Sequence, residues 1–250
     1  MMPFYLFLFA LGLILGSFYN VVGLSVPIGN SFTNRRSACQ SCGRTLTSFE
    51  LLPVVSYVMQ GGKCRGCKAR ISPLYPVVEM LTGVLFASAP LFLGRVDELW
   101  IAWALISLFM IIFVSDVAYM LIPDRVLLFF AVIFLFLRVL FPLSPWWDSI
   151  VGATVGFSLL LLIAVVSKGG MGGGDIKLFA VIGFALGLKL VLLSFLFASF
   201  YGAFFGIIGM LTGVIKKKTL IPFGPYIVFG TLTAYFWGES ILQWYVHFLR

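Results

Sequence analysis

Charge is scarce in this chain: Asp, Glu, Lys and Arg make up 10% of 250 residues while 61% are apolar, against about a quarter charged in soluble domains. That imbalance excludes a water-soluble globular fold. Histidine is scarcer still. His247 stands alone near the C-terminal end, so neither a Ser-His nor a Cys-His nucleophilic site can be assembled elsewhere. No H-E-x-x-H metalloprotease signature occurs. The run "GGMGGGD" lacks the G-K-[ST] ending of a phosphate loop and carries an acid that would repel phosphate. No G-x-G-x-x-G follows a strand, so the fingerprint of a Rossmann domain is missing. Ser167 and Lys168 make a poor Ser-Lys dyad, because adjacent side chains rarely face each other.

What the chain has in quantity is apolar run length. Breaks at polar and Pro/Gly clusters leave eight candidate spans, about 3–24, 74–93, 99–116, 125–141, 150–166, 176–188, 190–213 and 223–246. Most approach the roughly 20 residues that a helix rising about 1.5 Å per residue needs to cross a bilayer core. The expected fold class is an all-α polytopic membrane protein with about eight transmembrane helices. The first run has no basic segment before it and no clear cleavage site after it, so it reads as a first span rather than a signal peptide. Alternate sides carry unequal basic charge. Arg35, Arg36, Arg44, Lys63, Arg65, Lys68, Arg70, Arg125, Lys168, Lys177 and Lys216 to Lys218 fall on one side, and Arg95, Arg138, Lys189 and Arg250 on the other. The positive-inside rule then puts the first group in the cytosol and both termini outside. Topology also accounts for the net charge of +8 better than nucleic-acid binding does.

One long polar segment, 25–73, separates a first transmembrane span at 1–24 from a membrane-embedded remainder at 74–250. It holds all four cysteines as two C-x-x-C pairs, Cys39 with Cys42 and Cys64 with Cys67, separated by 21 residues. That is one residue longer than the usual zinc-ribbon spacing. Each pair can supply one edge of a tetrahedral Zn²⁺ site, with turn chemistry expected from Gly43 and Gly66. Two disulfides are the alternative, disfavoured in a reducing compartment. Four thiolates fill the shell of a zinc ion, so such a metal would be structural and would hold together a module too small for a core of its own.

Carboxylates in or near membrane spans are costly, and each is a functional candidate. Asp97, Glu98 and Asp148 fall in expected external loops, Glu239 near an external end and Glu50 in the cysteine segment, where solvated surface is the simpler reading. Asp124, after Pro123 and before Arg125, reads as a helix start with a charged neighbour. Glu79 lies six residues into the second span and needs a partner there, in substrate or module docking. Asp116 ends the third span and Asp175 opens the sixth, which places both at the cytosolic face although they are far apart in the chain. Two carboxylates in one site share a proton, so one can activate water while the other protonates a leaving amine. Helix ends would make Asp175 the base and Asp116 the acid. Asp175 as a plain N-cap and Asp116 as the polar end of a span remain the structural alternatives. Gly172, Gly173 and Gly174 are expected to supply unusual φ angles or close backbone approach for an extended substrate.

As a set, these residues resemble the type IV prepilin peptidase family, the leader peptidases and N-methyltransferases of pilus, type II secretion and competence systems, and the competence-type members most. The resemblance is carried by "GSFYNVV" (16–22), the two C-x-x-C pairs, "SPLYPVVEMLTG" (72–83), "DVAYMLIPD" (116–124), "GGGDIKLF" (172–179) and "PFGP" (222–225). It implies a G-x-G-D aspartyl peptidase of the bacterial cytoplasmic membrane with Asp116 and Asp175 as catalytic aspartates and Gly172 and Gly174 in the motif. Glu79 and Pro222, Phe223, Gly224 and Pro225 fall in its motifs, Gly173 within the substrate loop. The implied reaction removes the short basic leader of a prepilin or pseudopilin and methylates the new N-terminus from S-adenosylmethionine. Ser25 stands near a place where many members have arginine, and members without the cysteines still cleave. On residues alone, a transporter with a discontinuous helix and a membrane scaffold that docks a partner through its cysteine module stay open.

Overall fold

The computed structural model describes residues 2–29, 37–93, 96–168, 170–213 and 221–248. Eight α-helices and one 3₁₀ turn account for the regular structure, and no extended strand occurs among the described residues. Among the described residues, five helices are long and apolar enough to cross a membrane: α1 (Met2–Ser25), α3 (Leu74–Phe92), α4 (Val96–Tyr119), α6 (Asp148–Val166) and α7 (Gly173–Leu211). The fold is therefore all-helical and multi-pass. The other helices are a short α2 (Val55–Met59), α5 (Asp124–Leu140) and α8 (Gly224–Phe248). Of the basic residues that set the expected orientation, Arg35, Arg36, Arg95, Lys216 to Lys218 and Arg250 lie outside the described residues.

The chain divides into two compact units, Met1–Ser115 and Asp116–Arg250. In the first, α1 packs on α3 through glycines. A Cβ on Gly12 would stand 2.7 Å from Gly83 Cα, and one on Gly16 would stand 2.8 Å from Glu79 Cα. The G-x-x-x-G spacing puts both on one face, where the two backbones approach closely enough for van der Waals packing to hold apolar helices together. Tyr19, in the same helix, completes its hydroxyl with Ser107 Oγ at 2.6 Å.

In the second unit, α7 is not one rod. Thirty-nine residues of straight helix would measure about 58 Å, nearly twice a bilayer core. Gly187, at φ 81 and ψ 177, interrupts it. Phe179 and Phe195 have ring centroids 6.1 Å apart, whereas sixteen residues of straight helix would separate them by about 24 Å. The chain reverses at Gly187 into a helical hairpin, which explains why the sequence breaks into two apolar runs near this point. Charged groups bracket the reversal. Arg138 of α5, buried, donates from Nε to the Ala185 carbonyl at 2.7 Å, and Asp148 of α6 accepts from the Leu188 N–H at 3.2 Å. A cation thus meets the carbonyl end of the first arm and an anion the amide end of the second, the favourable sense for each helix end. Asp148, expected to be plain solvated surface, has this structural partner instead. Gly152 and Gly156 of α6 lie against Gly183, Gly187 and Phe179 as a second G-x-x-x-G face.

Candidate functional site

Asp116 sits in the last turn of α4, with 6% of its surface exposed. Its Oδ2 accepts a hydrogen bond of 2.7 Å from the N–H of Gly224. Gly224 is the first residue of α8 and Phe223 precedes it, accepting from Tyr226 and Ile227 at 3.0 and 3.1 Å. The first amides of a helix have no carbonyl of their own, so Gly224 is free to serve the carboxylate. A side chain there would put Cβ 2.7 Å from Asp116 Oδ2 and 3.0 Å from its Cβ and Cγ. Pro225 costs nothing in the first turn, since its missing N–H would be an orphan. Pro222 leads into this turn, and Phe223 packs near Tyr226, ring centroids 6.4 Å apart.

Asp175 lies in the first turn of α7, whose N-cap is Gly172. It is therefore the third helical residue and not the cap. Its carboxylate reaches back to the Gly172 main chain, half of a capping box. A Cβ on Gly172 would stand 3.1 Å from Asp175 Oδ2, and one on Gly174 would stand 2.8 Å from Ile122 Cβ. Gly173 has open space around it. None of the three has a positive φ, so the expectation of unusual φ is corrected: Gly172 and Gly174 serve close approach.

The structure brings the two aspartates within electrostatic reach of one another. Both stand at helix N-termini, Asp175 on α7 and Asp116 through Gly224 on α8. The helix-end argument that separated an acid from a base therefore no longer does so. Asp124 begins α5 as expected, but its charge partner is Lys177, at 2.7 Å and exposed on both sides.

Glu79 is buried in α3 and accepts from the Val54 N–H at 2.7 Å. Val54 is the N-cap of α2 and has a φ of 59, a strained value for a β-branched residue. The contact joins the cysteine segment to α3.

In that segment the two C-x-x-C turns are built alike. Cys39 N–H donates to the Arg44 carbonyl at 2.9 Å and Gly43 N–H to Cys39 at 2.9 Å; Cys64 donates to Ala69 at 2.9 Å and Lys68 to Cys64 at 3.0 Å. The left-handed position after the second cysteine is Gly43 (φ 70) in one turn and Lys68 (φ 61) in the other. Gly66, expected to provide it, instead makes room for Arg44, whose Nε would be 3.2 Å from a Cβ there. All four cysteines are free thiols. Their Sγ atoms lie within 4.8 Å of one another, with Cys39 and Cys67 at 3.8 Å. A tetrahedron with Zn–S bonds of about 2.3 Å has edges of about 3.8 Å. Backbone N–H groups of Cys67 and then Gly66 hold the Cys64 thiol down at about 6, and those of Cys42 and Ser41 lower Cys39. Cys39 and Cys64 are thereby biased toward thiolate, the form that ligates a metal, whereas at Cys67, despite the Ala69 N–H, burial and the neighbouring thiols push the thiol up to about 11. The cluster fits a four-thiolate ion.

Besides Asp148, two features of these sites were not legible in the sequence. Gly224 was singled out only within a motif, because a main-chain donor leaves no side-chain signal. Glu50, expected on solvated surface, is buried and ion-paired to Arg44 at 2.5 Å.

Residues 10–92 match the Bacterial Peptidase A24 N-terminal domain, and residues 103–207 match the Type IV leader peptidase family. A prepilin leader peptidase/N-methyltransferase of Bacillus subtilis (strain 168) is 45% identical over 239 residues, 96% of each chain. One of Aeromonas salmonicida (strain A449) is 35% identical over 84% of this chain and 74% of its own. One of Stutzerimonas stutzeri is 31% identical over 100% of this chain and 96% of its own. No solved structure matches. With both domains present in order and relatives alike along nearly the whole length, the chain belongs to the type IV leader peptidase family.

Proposed function

We propose that the protein is an aspartyl endopeptidase that removes the short basic leader of prepilins or pseudopilins, with Asp116 and Asp175 as its catalytic pair. The observation that carries this reading is the hydrogen bond from Gly224 to a buried Asp116 within electrostatic reach of Asp175. One carboxylate takes a proton from water as the water attacks the scissile carbonyl, and the other gives a proton to the leaving amine. The pair titrates as a unit, so the acid and base labels are left to the bound substrate. Gly173, with open space around it, leaves room beside Asp175 for an extended peptide, while Gly172 and Gly174 allow the close packing that holds the loop there. Pro222, Phe223, Gly224 and Pro225 position Asp116. The test is conversion of a prepilin in membranes by the Asp116→Asn and Asp175→Asn proteins; processing by either one sinks the assignment.

Gly224 supplies a second test. Gly224→Ala is expected to lower kcat about 10²-fold, as a roughly 1 Å misplacement of a catalytic group does. KM should change far less, since the substituted group only positions Asp116.

We assign the reaction to the cytosolic face of the bacterial cytoplasmic membrane, following the Lys and Arg distribution. Eight crossings follow if α5, α8 and each arm of α7 cross in addition to α1, α3, α4 and α6. S-adenosylmethionine-dependent methylation of the new N-terminus is extended to this chain from the names of its relatives. Lipid and pilin-like precursors are the partners of this reading, and competence or protein secretion its pathways.

For the cysteine module, residues 25–73, we propose a structural Zn²⁺ held by Cys39, Cys42, Cys64 and Cys67. Reduced, freshly purified protein is expected to carry about one zinc per chain, and Cys42→Ser to lower retention at least about tenfold. Metal analysis that finds no zinc in the unmodified protein removes the assignment.

A further inference from the structure

Four thiolates around a divalent ion leave an excess of negative charge, which outer hydrogen-bond donors must offset. Arg44 is placed to do so. Its main-chain carbonyl accepts the Cys39 N–H of the first turn at 2.9 Å. Its side chain crosses to the second turn, where Gly66 leaves it room: a Cβ there would lie 3.2 Å from Arg44 Nε and 3.9 Å from Cys42 Sγ. The guanidinium interacts electrostatically with Cys64. Its Nε is buried and finds no hydrogen-bond acceptor among the described residues, an arrangement that costs stability when nothing answers it.

Glu50 explains the orientation. Its side chain is 1% exposed and accepts from Arg44 Nη2 at 2.5 Å. It also accepts from the Thr47 N–H and hydroxyl, each at 3.0 Å, which ties it to the start of the 3₁₀ turn Ser48–Leu51. Glu50 thus holds one end of the planar guanidinium and leaves Nε, beside Gly66, unengaged. A lysine would bring charge without a second donor at a set angle.

We propose that Arg44, aimed by Glu50, is a positioning and charge-offsetting donor to the thiolates of the metal centre. The inference rests on the metal reading of the four cysteines. It assigns to "GRTLTSFE", the stretch after the second cysteine, a task in metal retention distinct from ligation.

The test uses the full chain in detergent micelles, loaded with Zn²⁺ for chelator competition and with Co²⁺ for its thiolate charge-transfer band. Arg44→Ala is expected to bind zinc about 10- to 100-fold more weakly, the usual range for lost outer-shell partners, and to shift the cobalt band. Arg44→Lys keeps the stem and the charge, so it guards against misfolding. It should also shift the band, with a smaller loss of affinity. Glu50→Gln should fall between wild type and Arg44→Ala. If both Arg44 variants hold zinc within twofold of wild type with an unmoved cobalt band, the proposal is wrong while the metal site stands. If wild type itself binds neither ion, the metal reading fails and this inference fails with it.

Discussion

Asparagine at Asp116 or at Asp175 is expected to lower prepilin cleavage by about 10³-fold or more, and the double variant should be little worse than either single one. The magnitude follows from the roughly 10²- to 10⁴-fold that a positioned acid or base contributes. The lack of additivity follows from the pair acting as a unit. Asparagine keeps the size of the side chain and an oxygen that can accept from Gly224, so the 2.7 Å hydrogen bond at Asp116 can persist. Loss of cleavage would then report proton transfer and not collapse of α8. Thermal unfolding of the purified variants provides the control, with midpoints expected near that of wild type. Singles that retain most of their activity while only the double variant is inactive would mean that the carboxylates do not divide the two proton transfers between them.

Asp116 and Asp175 stand out in the sequence because a carboxylate in an apolar chain is expensive, and the alternation of spans places them at one face. The cysteines were accessible through their spacing. Other features were hidden for physical reasons. Asp148 and Glu50 looked like surface acids because loop position was the only available criterion; their partners are the Leu188 amide and the Arg44 guanidinium. The Gly224 amide could not be read from side-chain chemistry at all. Some information was present and unused. Gly12 with Gly16, Gly152 with Gly156, and Gly183 with Gly187 all have the spacing by which small residues bring apolar helices together. Read that way, they would have paired α1 with α3 and α6 with α7.

Gly187 and Gly206 lie in the same long helix, yet alanine should act in opposite directions at the two positions. At Gly187 the backbone has φ 81 and ψ 177, a region essentially reserved for glycine that costs other residues about 1–3 kcal/mol. A Cβ would also stand 2.1 Å from Asp148 Oδ2 and 3.0 Å from Leu143 Cδ1, and overpacking of that kind adds about 1–3 kcal/mol. Gly187→Ala is therefore expected to destabilise by about 2–6 kcal/mol, which corresponds to a fall of roughly 4–24 °C in Tm for a chain of this size. At Gly206 a Cβ meets nothing within 4 Å and φ is not positive. Gly206→Ala should gain up to about 1 kcal/mol from helix propensity alone. The comparison separates two architectures. In a continuous rod both substitutions would relieve a flexible glycine and both would stabilise. In a hairpin that reverses at Gly187 only the second one can, so a Tm for Gly187→Ala at or above wild type would rule the reversal out.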